Sequence, residues 1–279
     1  MPTCFWVSML LYTFISCTDD VKIPAPVPDI ESKNKVVKNI RGISLPQGFS
    51  YLDDPDSSYA ARLLDLKFKK DNKVYLYNGR LKSNQDTHYG VLDIAIGKKD
   101  LVQCADAAIK LRADHLFETN RYDQIKFTGT SGDEISFNSW LKGTRWKEKH
   151  RRLVSYNISK PASNIQNEYN LFMEIVFSYC GTYSLSKQLR TVNDVNSIKP
   201  GDLFVEAGFP GHAVTVMAVA KNDLGQKVFL LSQGYMPAQD IHILKNCSNP
   251  KLSPWYEIPE IYPLSTPQWK FEKGSLRRW

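Results

Sequence analysis

"IKPGDLFVEAGFPGHAVTVMAVAKNDLGQKVFLLSQGYMPAQDIHIL", residues 198–244, decides the fold. Pro200-Gly201 marks a turn, and "DLFVEA" after it is an apolar strand. "GFPG" is a second turn. "HAVTVMAVA" is a strand that places His212, Val214, Val216 and Ala218 on one face, because side chains alternate along a strand. "KNDLGQ" turns the chain again, and "KVFLLSQ" is the third strand. Short turns between successive strands predict an antiparallel meander.

Upstream of the meander the pattern becomes helical. "SSYAARLLDLKF" (57–68) reads as a short helix. "KVYLYNGRLK" (73–82) turns at Asn78-Gly79, and "HYGVLDIAIG" (88–97) is a strand. In "DLVQCADAAIKLRADHLF" (100–117), Ala105, Ala108, Ile109 and Leu116 recur at helical spacing. That predicts an amphipathic helix with Cys104 at or next to its N-cap and Asp106 in its first turn. "IKFTGTSGDEISFNSWLKGTRW" predicts turn-rich strands followed by a short helix. "NEYNLFMEIVFSYCGTYSLSKQL" (167–189) predicts one buried helix ending near Gly181. Helices first and an antiparallel meander later make the class α+β.

The first twenty residues, "MPTCFWVSMLLYTFISCTDD", hold no charge before Asp19. The apolar run Val7–Ile15 has the length of a signal-peptide core and falls short of the roughly 20 residues a spanning helix needs. It stops at Ser16-Cys17, a step similar to the lipidation site of bacterial lipoproteins. Residues 1–16 are expected to be a signal peptide, with Cys17 the lipidated residue. Residues 17–40, with Pro24, Pro26 and Pro28, are expected to be a semi-rigid tether, and residues 41–279 one domain. The expected location is the bacterial cell envelope, held to the membrane by the lipid alone.

The net charge of +7 would suit an anionic partner, but it is spread along the chain. Its densest run, "WKEKHRR" (146–152), reads as a solvated surface. Without zinc-finger spacing, an RNA-binding aromatic box or a long basic helix, no nucleic-acid partner is expected. No C-x-x-C is present, and neither a metal nor a cofactor is expected. After Cys17, the cysteines Cys104, Cys180 and Cys247 remain, and an odd number leaves at least one thiol free.

Cys104 admits two readings. Free cysteine packs as a small hydrophobe. At a helix N-terminus it is also favoured as a thiolate, the nucleophilic form. Pairing Ala220 with Gln226 across the last turn puts His212 opposite Gly234, and a one-residue slip puts it opposite Gln233. Cross-strand neighbours lie about 5 Å apart, so Gln233 can aim the imidazole. Asp240 is a second candidate for that task, and His88 a candidate pocket residue. Cys180, at the far end of its helix, is expected to be packed.

"C-A-D" opening a helix, then "P-G-D-L-F-V" and "G-H-A-V-T-V", resembles the papain-like NlpC-type cysteine hydrolases. The resemblance implies Cys104 as nucleophile, His212 as base and Gln233 as orienter, on a papain-like fold whose sheet carries the His. The oxyanion would be held by the Cys104 N–H, with Gln103 or Gln85 as side-chain donor. "QCADAAIKLRADHL", "SWLKGTRW" and "LLSQGYMPAQDIHIL" resemble an uncharacterised bacterial lipoprotein family, a domain of unknown function, over nearly the whole mature chain. Here the acidic residue usual before the cysteine is Gln103, and a long insert separates Cys104 from His212. The implied activity is a thiol hydrolase that cuts an amide or ester of the envelope, with a cell-wall peptide as favoured substrate. The rival is a binding module without catalysis, for which Trp140, Trp146, Trp255, Trp269 and the fourteen tyrosines are candidate sugar platforms.

Overall fold

The meander forms as the sequence predicts, over Leu203–Glu206, His212–Lys221 and Lys227–Gln233. It is the centre of a nine-stranded sheet in the computed structural model, which describes residues 37–52, 58–150, 152–159, 164–258 and 262–279. Beyond Gln233 the order continues with His242–Leu244 and then His88–Val91; beyond Leu203 it continues with Leu276–Arg278 and Arg190–Thr191. Every pairing is antiparallel. The residues from Val37 to Trp279 make one compact unit. The expected signal peptide, Cys17 and the part of the expected tether before Val37 lie outside the described residues.

Five helices accompany the sheet: α1 (Tyr59–Asp65), α2 (Cys104–Glu118), α3 (Phe137–Leu141), α4 (Ile165–Tyr179) and α5 (Thr182–Gln188). α2 is not the one-sided helix that its periodicity predicts. Ala107 and Leu111 pack with the sheet residues Met217, Ala218 and Leu230. Ala105, Ala108, Ile109 and Leu116 pack on another side against Phe137, Phe172 and Val176 of α3 and α4. Its alanines let both layers approach closely, so the helix is buried on two sides. The predicted buried helix ends near Gly181 as expected, at Tyr179; a second helix follows from Thr182, after Cys180 and Gly181, which are both extended.

Two expectations need correction. The predicted alternation of the His212 strand breaks at a bulge. Leu230 opposes Ala218 while Leu231 opposes Val216, so Met217 is an extra residue. Ala218 therefore joins the α2 face, and Val219 takes the opposite face with Val214 and Val216. The second correction concerns the tether's end. Ile40 is fully buried among Leu63, Leu92 and Trp255, and Lys38 accepts a backbone hydrogen bond from Phe68 at 2.9 Å. The domain thus begins ahead of residue 41.

The sheet face away from α2 is covered by the C-terminal segment. Leu264, Phe271 and Leu276 pack there against Phe204, Val214 and Leu231. The sequence offers this segment no regular element, only the hairpin Leu264–Ser265/Lys270–Phe271 and the edge strand Leu276–Arg278. The described residues of the "WKEKHRR" run lie at the tip end of the hairpin Thr144–Lys149/Arg152–Asn157, and among them only Trp146 turns into the core.

Candidate active site

His212 is the first residue of its strand, and its fully buried ring is held by Gln233: Nε2 lies 2.8 Å from Gln233 Oε1. A carbonyl oxygen accepts, so Nε2 carries the proton and Nδ1 is the ring's basic nitrogen. The pairing is diagonal, not direct. Ser232 opposes Thr215, so Gln233 follows beside Val214, two residues from His212. The five-residue turn and the bulge shift the register from the simple pairing expected. Tyr235, Trp269 and Phe271 enclose the imidazole, with ring centroids 5.2, 5.3 and 5.9 Å away.

Cys104 is the first residue of α2, with Gln103 as N-cap. Asp106 accepts the Gln103 backbone N–H at 3.1 Å and closes the first turn. The thiol rests against the backbone on both sides of His212. Its Sγ lies 4.0 Å from the Gly211 carbonyl oxygen, and the Ala213 N–H points to the sulfur. Ala213 faces the α2 core, and His212, one residue earlier, faces the aromatic layer. The helix start and the strand start therefore meet edge to edge. Among the described residues no hydrogen bond joins the thiol to the ring.

Two glycines permit this contact, and sequence reasoning passed over both. A Cβ on Gly234 would come within 2.7 Å of the Gln103 carbonyl oxygen, so the N-terminus of α2 sits on that backbone. A Cβ on Gly211 would come within 2.6 Å of the Glu206 carbonyl oxygen. Each glycine directly flanks a site residue, "G-H" and "Q-G", and that adjacency is the signal available in the sequence.

Burial governs the charges. It lowers the His212 pKa to about 4, partly offset by the Gln233 hydrogen bond. It raises the Cys104 thiol despite the Ala213 and Ala105 N–H groups, with the nearby Asp106 adding to the rise. The expected thiolate is thus not the resting form: the site rests as neutral thiol beside neutral imidazole, because the helix end is too deeply covered for its dipole to win.

The other candidates are placed apart from His212. The Asp240 carboxylate accepts from Lys69 Nζ at 2.7 Å and the Tyr75 N–H at 3.1 Å, so Gln233 alone orients the ring. Gln85 gives its amide hydrogens to the carbonyls of Val74 and Lys82 and accepts from the Val74 N–H, which leaves it no donor for an oxyanion. His88 Nε2 meets the Asn72 carbonyl at 3.0 Å, and its ring stands edge-on to His242 at 5.7 Å, one layer beyond the site. Gln103 donates one amide hydrogen to Asp100 at 3.1 Å and keeps a second. Cys180 is buried as expected, Cys247 is exposed, and all three cysteines are free.

An open groove of about 620 Å³ lies beside Trp269, the ring that packs on the imidazole, and is lined by Glu206, Pro210, Gln268, Trp269, Lys270 and Glu272. Phe209, the chain neighbour of the groove residue Pro210, is 85% exposed, and its ring is tilted against Tyr183 of α5. The family described as a domain of unknown function (4846) matches residues 40–278. The chain belongs to this family. Neither a curated protein nor a solved structure matches the chain.

Proposed function

We propose that the chain is a papain-like thiol hydrolase, anchored to the bacterial cell envelope through a lipid on Cys17. It cuts an amide or ester, with a cell-wall peptide as the favoured substrate. The observation behind this reading is the buried His212–Gln233 pair at 2.8 Å on the strand start that Cys104 touches. Gln233 holds the ring with Nδ1 as base. Nδ1 takes the thiol proton as the sulfur attacks the carbonyl carbon, and returns it to the leaving group. The Cys104 N–H, which in the resting site is directed at its own sulfur, turns to the developing oxyanion together with the spare Gln103 amide hydrogen. The groove beside Trp269 receives the chain being cut.

A binding module without catalysis is the second reading, favoured by the neutral resting state of both groups. Trp140, Trp146 and Trp255 are core residues and supply no sugar platform; Trp269, on the groove, is the one left. Alkylation with iodoacetamide near pH 6, followed by peptide mapping, separates the readings. The hydrolase reading expects Cys104 to label ahead of the equally buried Cys180, and His212→Ala to abolish that lead. Cys104 no faster than Cys180, with no change in His212→Ala, establishes the binding module.

A further inference from the structure

We infer that His242 is a positioning residue, which fixes the Gln233 amide and through it the tautomer of His212; the inference rests on the hydrolase reading above. His242 is the direct cross-strand partner of Gln233, on the side away from His212. Its Nδ1 lies 2.8 Å from the Asp240 backbone carbonyl. A carbonyl cannot donate, so Nδ1 of His242 carries the proton and Nε2 is an acceptor. That acceptor faces Gln233 Nε2 at 3.4 Å. The second hydrogen of the same amide goes to Gln268 Oε1.

Both Gln233 hydrogens thus have acceptors, and its Oε1 is left for His212. Turning the amide over would set its oxygen against two acceptors and its NH2 against the protonated Nε2 of His212. In a fully buried row, such mismatches leave polar groups unsatisfied, at a cost well above that of a normal hydrogen bond gained. The order of control runs from the Asp240 carbonyl to His242, then to Gln233, then to His212. Its end result is a basic Nδ1 on the ring whose flanking backbone touches Cys104. Gln268 adds a second hold and also lines the groove, so it joins the orienting row to the space proposed for substrate.

The test is nitrogen NMR of the imidazoles in histidine-labelled full chain near neutral pH. The wild type is expected to show His212 protonated at Nε2 and His242 protonated at Nδ1. Either ring in the other tautomer overturns the inference without any variant. His242→Ala is expected to give His212 as a mixture of tautomers and to slow Cys104 alkylation about three- to tenfold, the effect of one lost hydrogen bond. His242→Gln, with an amide oxygen able to accept in place of Nε2, is expected to restore the single tautomer. A folded His242→Ala protein with an unchanged His212 tautomer and an unchanged alkylation pH profile reduces His242 to packing. The NMR readout requires no hydrolysis. A wild-type Cys104 that fails to outpace Cys180 therefore sinks the hydrolase reading, while the tautomers still decide the lock.

Discussion

Cys104 and Cys180 are equally buried, at 9% exposure each, and both feel the Asp106 carboxyl. Their surroundings diverge because they stand at opposite helix ends. Cys104 opens α2 and receives N–H groups from Ala105 and Ala213. Cys180 caps the end of α4, where carbonyls are left over, and its thiol is pushed up to about 12 by burial and then by Asp106. Equal burial therefore does not mean equal chemistry. The backbone dipoles that survive burial separate a candidate nucleophile from a packed sulfur.

Acid should separate the two regions most. His212 and His242 titrate lower in the fold, at about 4 and about 3, than an ordinary histidine near 6.5. Between those values the unfolded chain binds more protons. Stability is then complete above about pH 6.5 and falls as pH drops toward 4, by roughly 3 kcal/mol for His212 alone. The buried Asp106 carboxyl, raised by burial, acts in the opposite direction. Melting followed from pH 7 to pH 4 should show the loss, and hydrogen exchange should show it sooner around His212 than at the end of α4. A flat melting profile would break the comparison.

Glycine substitutions give the next largest contrast. Gly234→Ala forces the start of α2 off its seat and should cost about 1–3 kcal/mol. Gly181, beside Cys180, has open space for a Cβ and an extended φ of −167°. Gly181→Ala should cost at most about 1 kcal/mol, from a poorer N-cap. Denaturant titration of the two variants measures both, and equal losses would remove the claim that only the Cys104 end depends on close backbone approach.

Thiol reactivity sharpens the comparison further. At pH 8 Cys104 should alkylate at least about tenfold faster than Cys180 in the folded protein, because backbone N–H groups reach only the Cys104 sulfur. Equal rates would show that the backbone donors count for nothing here. The smallest effect is expected from Asp106→Asn. It keeps an acceptor for the Gln103 N–H while removing the ionisable group, so the alkylation midpoints of both thiols should move modestly to lower pH. A shift at one cysteine alone would mean that Asp106 is not shared.

The helix of Cys104, the meander, His212 and Gln233 were legible because each has a local signature. Alanine-rich helical spacing, turn residues and period-two apolar strands depend on neighbours in the chain. The end of α4 near Gly181 was legible from the glycine, but the short helix α5 was not, since "TYSLSKQ" carries too few apolar residues to show a period. The covering of His212 was illegible for a different reason. Trp269 and Phe271 lie more than fifty residues beyond it in a segment with little regular structure, and only their alternation hinted at a buried edge.

The sequence by itself determined an α+β chain with a thiol at a helix start, a histidine at a strand start and a glutamine at the end of the next strand. Local propensity and side-chain period are sufficient for that. Tertiary structure alone decided the diagonal His212–Gln233 pairing, because a bulge of one residue resets which side chains share a face. It alone decided that His242 stands on the other flank of Gln233, since cross-strand register is a long-range property. It also reversed the expected thiolate. A helix dipole can be read from sequence, whereas desolvation depends on the aromatic layer and helices that cover the site, and here desolvation is the larger effect.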